Sequence, residues 1–197
     1  MTIVSEDRFA AAIAAIDAAN ADDPARIVVR GVERPKELAH AELVSEWVDR
    51  LRPDASEALR LAARAHHIRR WTVPRSSYPQ GRAGYLKWRR DLHGVHADEV
   101  GGILAGLDYD TVTIERVQEI VKKRNLAKDP DVQVLEDALC LVFIETQFHD
   151  LAARTEPEKM VDIVRKTLAK MSDDGKRHAL AMPLAADDLR IVEQALA

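Results

Sequence analysis

The sequence predicts an all-α fold, a single-domain bundle of amphipathic helices, and three observations carry that expectation. Apolar residues recur at three- and four-residue spacing through most of the 197 residues. Only one short β-branched run, Ile27-Val28-Val29, has strand character, and it has no evident hairpin partner. Hydrophobic residues make up 47% and charged residues 31%, with eight each of Gly and Pro, which suits a folded helical chain and excludes a disordered or collagen-like one. A chain of this length is expected to fill one core and form one domain. No window of about 18 consecutive apolar residues occurs, as a membrane span would need. The opening residues MTIVSEDRF lack the basic and then apolar order of a secretory signal, and the lone Cys140 has no disulfide partner. A cytoplasmic protein without membrane contact is expected.

Each helix has a local cause. Phe9, Ile13 and Ile16 recur at helical spacing and predict a helix over Ser5 to Ala19, stopped before Asp22-Asp23-Pro24. Pro35 suits the first turn of a helix to about Leu51, with His40 among Leu38, Leu43 and Trp47. After the Pro53-Asp54 break, a helix runs through Arg70 with Leu59, Ala62, Ala63 and His66 on one stripe and His67 about 100° further round. Pro74 to Gly84 reads as the longest loop. Two helical pieces hinged near His93-Gly94 follow, closed by Gly106 as a left-handed cap. Thr111 caps a helix that turns Ile114, Val117, Ile120 and Val121 inward and ends on Lys122-Lys123-Arg124. Asp129-Pro130 opens the longest apolar helix, about Asp131 to Ala153, apolar on most of its circumference and so expected at the centre. Pro157 to Leu168 and Ala185 to Leu196 read as two more helices around a break at Gly175.

The charge distribution is uneven. From Ala58 to Arg90 there is no Asp or Glu and there are nine Arg and Lys residues, inside a chain of net charge −4. Trp71, Tyr78, Tyr85 and Trp88 are interleaved with them. Guanidinium matches phosphate in a planar, bidentate way, and aromatic rings offer stacking faces to a base. Arg69, Arg70, Arg75, Tyr78, Arg82, Tyr85, Trp88 and Arg89 are therefore the candidate phosphate and substrate binders, with the Pro74 to Gly84 loop as a lid. The plainer alternative is that these cations pair with acidic helices elsewhere in the fold.

Three histidines and one acid, His40, His66, His67 and Asp137, fall on successive predicted helices. Imidazoles with a carboxylate suit a divalent transition metal, although a buried histidine also serves as an ordinary core residue. Glu136 and Glu145 share the Asp137 helix and are candidates for supporting or ion-paired roles. Cys140 reads as packing, and His93 as a surface or cap residue.

The order of these residues resembles the HD superfamily of metal-dependent phosphohydrolases. PKELAHAELVSEWV is similar to the first-histidine helix, with His40 as ligand. ARAHHIRRW is similar to the His-Asp doublet helix, with His66 in the place of its His and His67 in the place of its Asp. HADEVGGILAGL is similar to a helix that begins with a further histidine, here His96, and VLEDALCLVFIE to the last ligand helix, with Asp137 as the closing acid. The resemblance implies one or two divalent ions (Mn, Fe, Ni, Co or Zn) on His40, His66, His67 and Asp137, with His96 as a further candidate ligand. His67 and Asp137 are the implied catalytic residues. Histidine at the doublet Asp removes one negative charge from such a site and alters water activation. A second resemblance, carried by HHIRRW, PRSSYP, GRAGYLKWR and LEDALCLVFIE, is to the uncharacterised domain-of-unknown-function family 4202, which implies no activity. The expectation is a metal-dependent phosphohydrolase acting on a nucleotide or other phosphate ester. The alternatives are a non-catalytic module that binds RNA or nucleotides, and an iron-dependent HD-like oxygenase.

Overall fold

The computed structural model describes residues Thr2–Leu196, with side chains from Glu6 onward. The elements in chain order are α1 (Thr2–Ala21), β1 (Arg26–Val29), β2 (Val32–Pro35), α2 (Lys36–Leu51), α3 (Glu57–Ala65), α4 (Gly81–Ala105), α5 (Thr111–Val121), α6 (Pro130–Thr146), α7 (Phe148–Ala152), α8 (Pro157–Leu168), α9 (Asp173–Leu180) and α10 (Ala186–Leu196). Two 3-10 turns, Arg70–Thr72 and Arg75–Ser77, join α3 to α4. The fold is all-α, as the helical spacing predicts, with α6 at the centre against α2, α3, α5 and α9. Leu135, Ala138 and Leu141 of α6 are fully buried in a core that runs from Ala12 of α1 to Ala195 of α10. Polar caps set several helix starts: Asp129 accepts from the Asp131 and Val132 N–H groups, Asp110 from Thr113 N–H, and Ser56 from Leu59 N–H.

The cap of α5 is Asp110 and not Thr111, because the Asp110 carboxylate reaches Thr113 N–H, and local expectations differ from the structure in five further places. Ile27-Val28-Val29 does have a partner, because Arg30 and Gly31 both take positive φ (51° and 80°) and turn the chain so that β1 pairs antiparallel with β2. A bidentate pair from Arg30 to Glu46, at 3.1 and 2.6 Å, secures that turn. Helix α3 stops at Ala65, and Arg69 adopts left-handed φ (49°) while its N–H donates to Asn20 Oδ1 at 3.1 Å. Helix α4 runs unbroken through Gly94, and its left-handed exit is Asp108 (φ 57°), not Gly106. Helix α6 ends at Thr146, with a break at Gln147 before α7.

The fifth difference concerns Gly175, which lies inside α9 and does not break a helix. Asp137 reaches α9 here: Oδ1 accepts from Ser172 N–H at 2.8 Å and Gln133 Nε2 at 3.0 Å, and Oδ2 from Ser172 Oγ at 2.5 Å. A Cβ on Gly175 would stand 2.7 Å from Asp137 Cγ, so only glycine lets α9 approach this carboxylate. Gly175→Ala is expected to cost about 1–3 kcal/mol in urea unfolding. Gly94→Ala, whose Cβ would meet nothing within 4 Å, is expected to stabilise by about 0.4–1 kcal/mol in the same measurement.

Candidate functional site

A cleft of about 290 Å³ opens between the chain after α3, the first half of α4, the end of α5, and helices α6 and α8. Its long wall is one stripe of α6, Glu136, Leu139, Cys140 and Phe143, at the three- and four-residue spacing that shares a helix face. Arg70, Arg89, Lys123 and Lys170 bring cations to one end. The sole carboxylate among the lining residues is Glu136, buried to 4% exposure and ion-paired with Lys123 Nζ at 2.5 Å and Lys170 Nζ at 3.7 Å. Burial pushes the Glu136 carboxyl up, but Lys123 more than reverses this and holds it below the usual range. The Cys140 thiol is pushed by burial up to about 12, so it stays protonated and inert as a nucleophile.

Arg70 is the unusual cation. The left-handed turn at Arg69 projects its half-buried guanidinium into the cleft, where Nη1 lies 3.1 Å from His67 Nε2 and the group sits 4.8 Å from the Trp88 ring centre. No carboxylate forms an ion pair with it among the described residues. Burial lowers its pKa, the signature of a cation held away from both water and a close counter-charge.

Behind Arg70 stands a histidine cluster. The rings of His66 and His67 are tilted 43° to each other with centres 4.3 Å apart, and those of His67 and His96 lie 5.7 Å apart. The Nδ1 atoms of His66 and His96 each lie 2.8 Å from a backbone carbonyl, those of Ala63 and Ile68, and donate to them as neutral rings. Arginine can only donate, so His67 Nε2 accepts from Arg70 and Nδ1 carries the proton. That Nδ1 is 3.3 Å from Glu37 Oε2, close enough for electrostatic steering but outside hydrogen-bond alignment. Glu37 Oε2, His40 Nε2 and His96 Nε2 are all buried without a hydrogen-bond partner. Burial lowers the pKa of His40, His66, His67 and His96, reinforced at His67 by the Arg70 charge.

The structure thus gathers His40, His66, His67 and His96, with Glu37 as their acid, and leaves Asp137 out. Successive helical residues point about 100° apart; α6 therefore turns Glu136 to the cleft and Asp137 to α9. Among the described residues no three His, Cys, Asp or Glu side chains form a group that could hold a metal ion. The implied ligand set is not assembled, and the residues as arranged do not fit that ion.

Of the eight candidate substrate binders, Arg70, Tyr85 and Arg89 line the cleft. The others lie outside it, and all but Arg82 serve the fold. Arg69 pairs with Glu99 at 3.2 Å, and Arg75 donates to the carbonyls of Tyr78 and Pro79, which ties down the expected lid. Tyr78 donates to Asp91, Trp88 is buried with its N–H on Val73 O, and Arg82 is exposed at the start of α4 outside the cleft. Glu145 accepts from Trp47 Nε1. Sequence reasoning missed Glu37, Lys170, Phe143 and the cleft role of Lys123 and His93. The repeat Glu136, Leu139, Cys140, Phe143 was the one legible signal for that wall.

A family model described as a domain of unknown function, DUF4202, matches residues 10–192. The chain belongs to the DUF4202 family. No curated protein and no solved structure matches it. In this DUF4202 chain no described helix is long and apolar enough to cross a membrane.

The histidines make stability depend on pH. Burial moves His93 and His96 from 6.5 down to about 4. The unfolded chain therefore takes up these protons near 6.5 and the folded chain only near 4. Stability is expected to fall as pH drops through that window, seen as a declining melting temperature, with a shallower decline in His96→Gln.

Proposed function

We propose that the cleft binds a small organic phosphate and that His67 moves a proton in hydrolysis of its ester. The observation that carries this reading is Arg70, a half-buried guanidinium without a carboxylate partner, in a cleft whose four Arg and Lys side chains face one Glu. Such a surplus is stabilised by a phosphate dianion, which guanidinium can grip bidentately. The cleft volume, about 290 Å³, is close to the lower bound for a small-molecule site. The resemblance of His40 and His66 to the histidine positions of HD phosphohydrolases, with His67 in the place of the doublet Asp, supports phosphoester chemistry on independent grounds.

The chemistry follows from the tautomer. His67 is neutral, protonated on Nδ1 toward Glu37, with the Nε2 lone pair capped by Arg70. A phosphate that draws Arg70 toward itself frees Nε2 to accept a proton from a water that attacks phosphorus as the ester P–O bond breaks; Glu37 favours the imidazolium that results, which returns the proton to the departing alkoxide. Arg70, Arg89 and Lys123 then face the charge of the transferring group.

The test combines calorimetry with inorganic phosphate and phosphate-release assays on a panel of phosphate monoesters, with and without added divalent ions. Wild type is expected to bind phosphate and turn over at least one ester. Arg70→Ala is expected to weaken binding at least about 10-fold. His67→Ala is expected to retain binding and lose about 100-fold or more in kcat, with a smaller loss in Glu37→Gln. Absence of phosphate binding by wild type would overturn the reading, and binding without turnover of any ester would reduce it to a receptor for a phosphate ligand.

A further inference from the structure

The cleft has a second end, and its chemistry differs from the first. From Glu136 to Gln147 at its end the α6 wall extends about 16 Å at the helical rise; Leu139 and Thr167, whose carbonyl lies 3.9 Å from Cys140 Sγ, stand midway, and the end away from the cations is lined by Phe143, Ile163 and Gln147. Lys170 at the end of α8 contacts Glu136, so α8 runs antiparallel to α6 and sets Ile163 toward the Phe143 end. The far end therefore carries an aromatic face and aliphatic walls but no acid or base.

Two polar groups stand in or beside that apolar setting. Gln147 caps the end of α6, is half-buried, and its carboxamide takes part in no hydrogen bond found among the described residues. Thr167 Oγ1 donates to Ile163 O at 2.9 Å, which leaves its lone pairs as acceptors. A carboxamide offers a donor pair and an acceptor side by side. An alkyl tail would desolvate that amide with nothing in return, which is unfavourable. A bare sugar would set its hydroxyls against Phe143, Leu139 and Ile163. A planar heteroaromatic ring satisfies both requirements, an apolar face for Phe143 and an edge of donors and acceptors for Gln147.

We propose that the organic part of the ligand is a nucleobase, so that the cleft takes a nucleoside monophosphate with its phosphate at Arg70 and its base packed on Phe143 and read by Gln147. This inference rests on the phosphate-site reading above and adds Phe143 and Gln147 as specificity-determining residues.

Calorimetry with ribose 5-phosphate and with the adenosine, guanosine, cytidine and uridine 5′-monophosphates separates the two claims. At least one nucleotide is expected to bind about 10-fold or more tighter than ribose 5-phosphate. Phe143→Leu is expected to erase most of that gain, and Gln147→Ala to flatten the preference among the four bases, both with ribose 5-phosphate affinity unchanged. Gln147 is half-exposed at a helix end, so its variant tests the inference even if Phe143→Leu fails to fold. Nucleotides that bind no tighter than ribose 5-phosphate, while Arg70→Ala still weakens ribose 5-phosphate, would overturn this inference and leave the phosphate site standing. Loss of sensitivity to Arg70→Ala would overturn both. A base preference unchanged in Gln147→Ala would remove Gln147 from its role.

Discussion

Helix α6 must bury two adjacent carboxylates, and the arrangement of its neighbours follows from how each is satisfied. An ionised carboxylate taken from water is costly unless paired or hydrogen-bonded. Asp137 is answered by the start of α9, through Ser172 and the close approach that Gly175 permits. Glu136, one residue earlier and about 100° round the helix, is answered by Lys123 from the end of α5 and Lys170 beyond α8. One carboxylate thereby docks a helix, and the other draws two cations to the mouth of a cleft.

That second solution leaves charge to spare. Lys123 and Lys170 share one acid, and Arg70 and Arg89 add two cations without an ion pair among the described residues. The histidines next to them are kept neutral by burial and by Arg70, so they add no repulsion and retain lone pairs. Arg70, which can only donate, leaves the proton of neutral His67 on Nδ1, and Glu37, buried to 5% exposure on the first turn of α2, faces that nitrogen at 3.3 Å. The short turn after α3 places His67 and Arg70 side by side, facing the same space.

The basic run from Ala58 to Arg90 divides between two tasks. Arg60 pairs with Asp49, Arg64 with Asp17, Arg69 with Glu99 and Lys87 with Asp91, so much of the run ties helices together as the plainer alternative anticipates. Arg70 and Arg89 escape that pairing and face the cleft. Linear charge density marked the stretch without separating the two groups, since most of the acids that neutralise the others come from distant positions.

The sequence by itself determined the helices, because hydrophobic spacing, caps and proline starts are local. It also singled out His40, His66, His67 and His96, which the fold gathers, and Arg70, Tyr85 and Arg89, which line the cleft, because chemically distinctive residues on adjacent helices meet across short connections. Only the tertiary structure decided that Asp137 belongs to α9 while Glu136 belongs to the cleft, since a one-residue difference on a buried helix is a rotation whose meaning depends on what packs at each angle. The same holds for Glu37, Lys170 and Phe143. Each is ordinary in its local sequence; Glu37 meets His67 and Lys170 meets Glu136 across 30 or more residues, and Phe143 shares its cleft with side chains of other helices, at distances over which local periodicity carries no information.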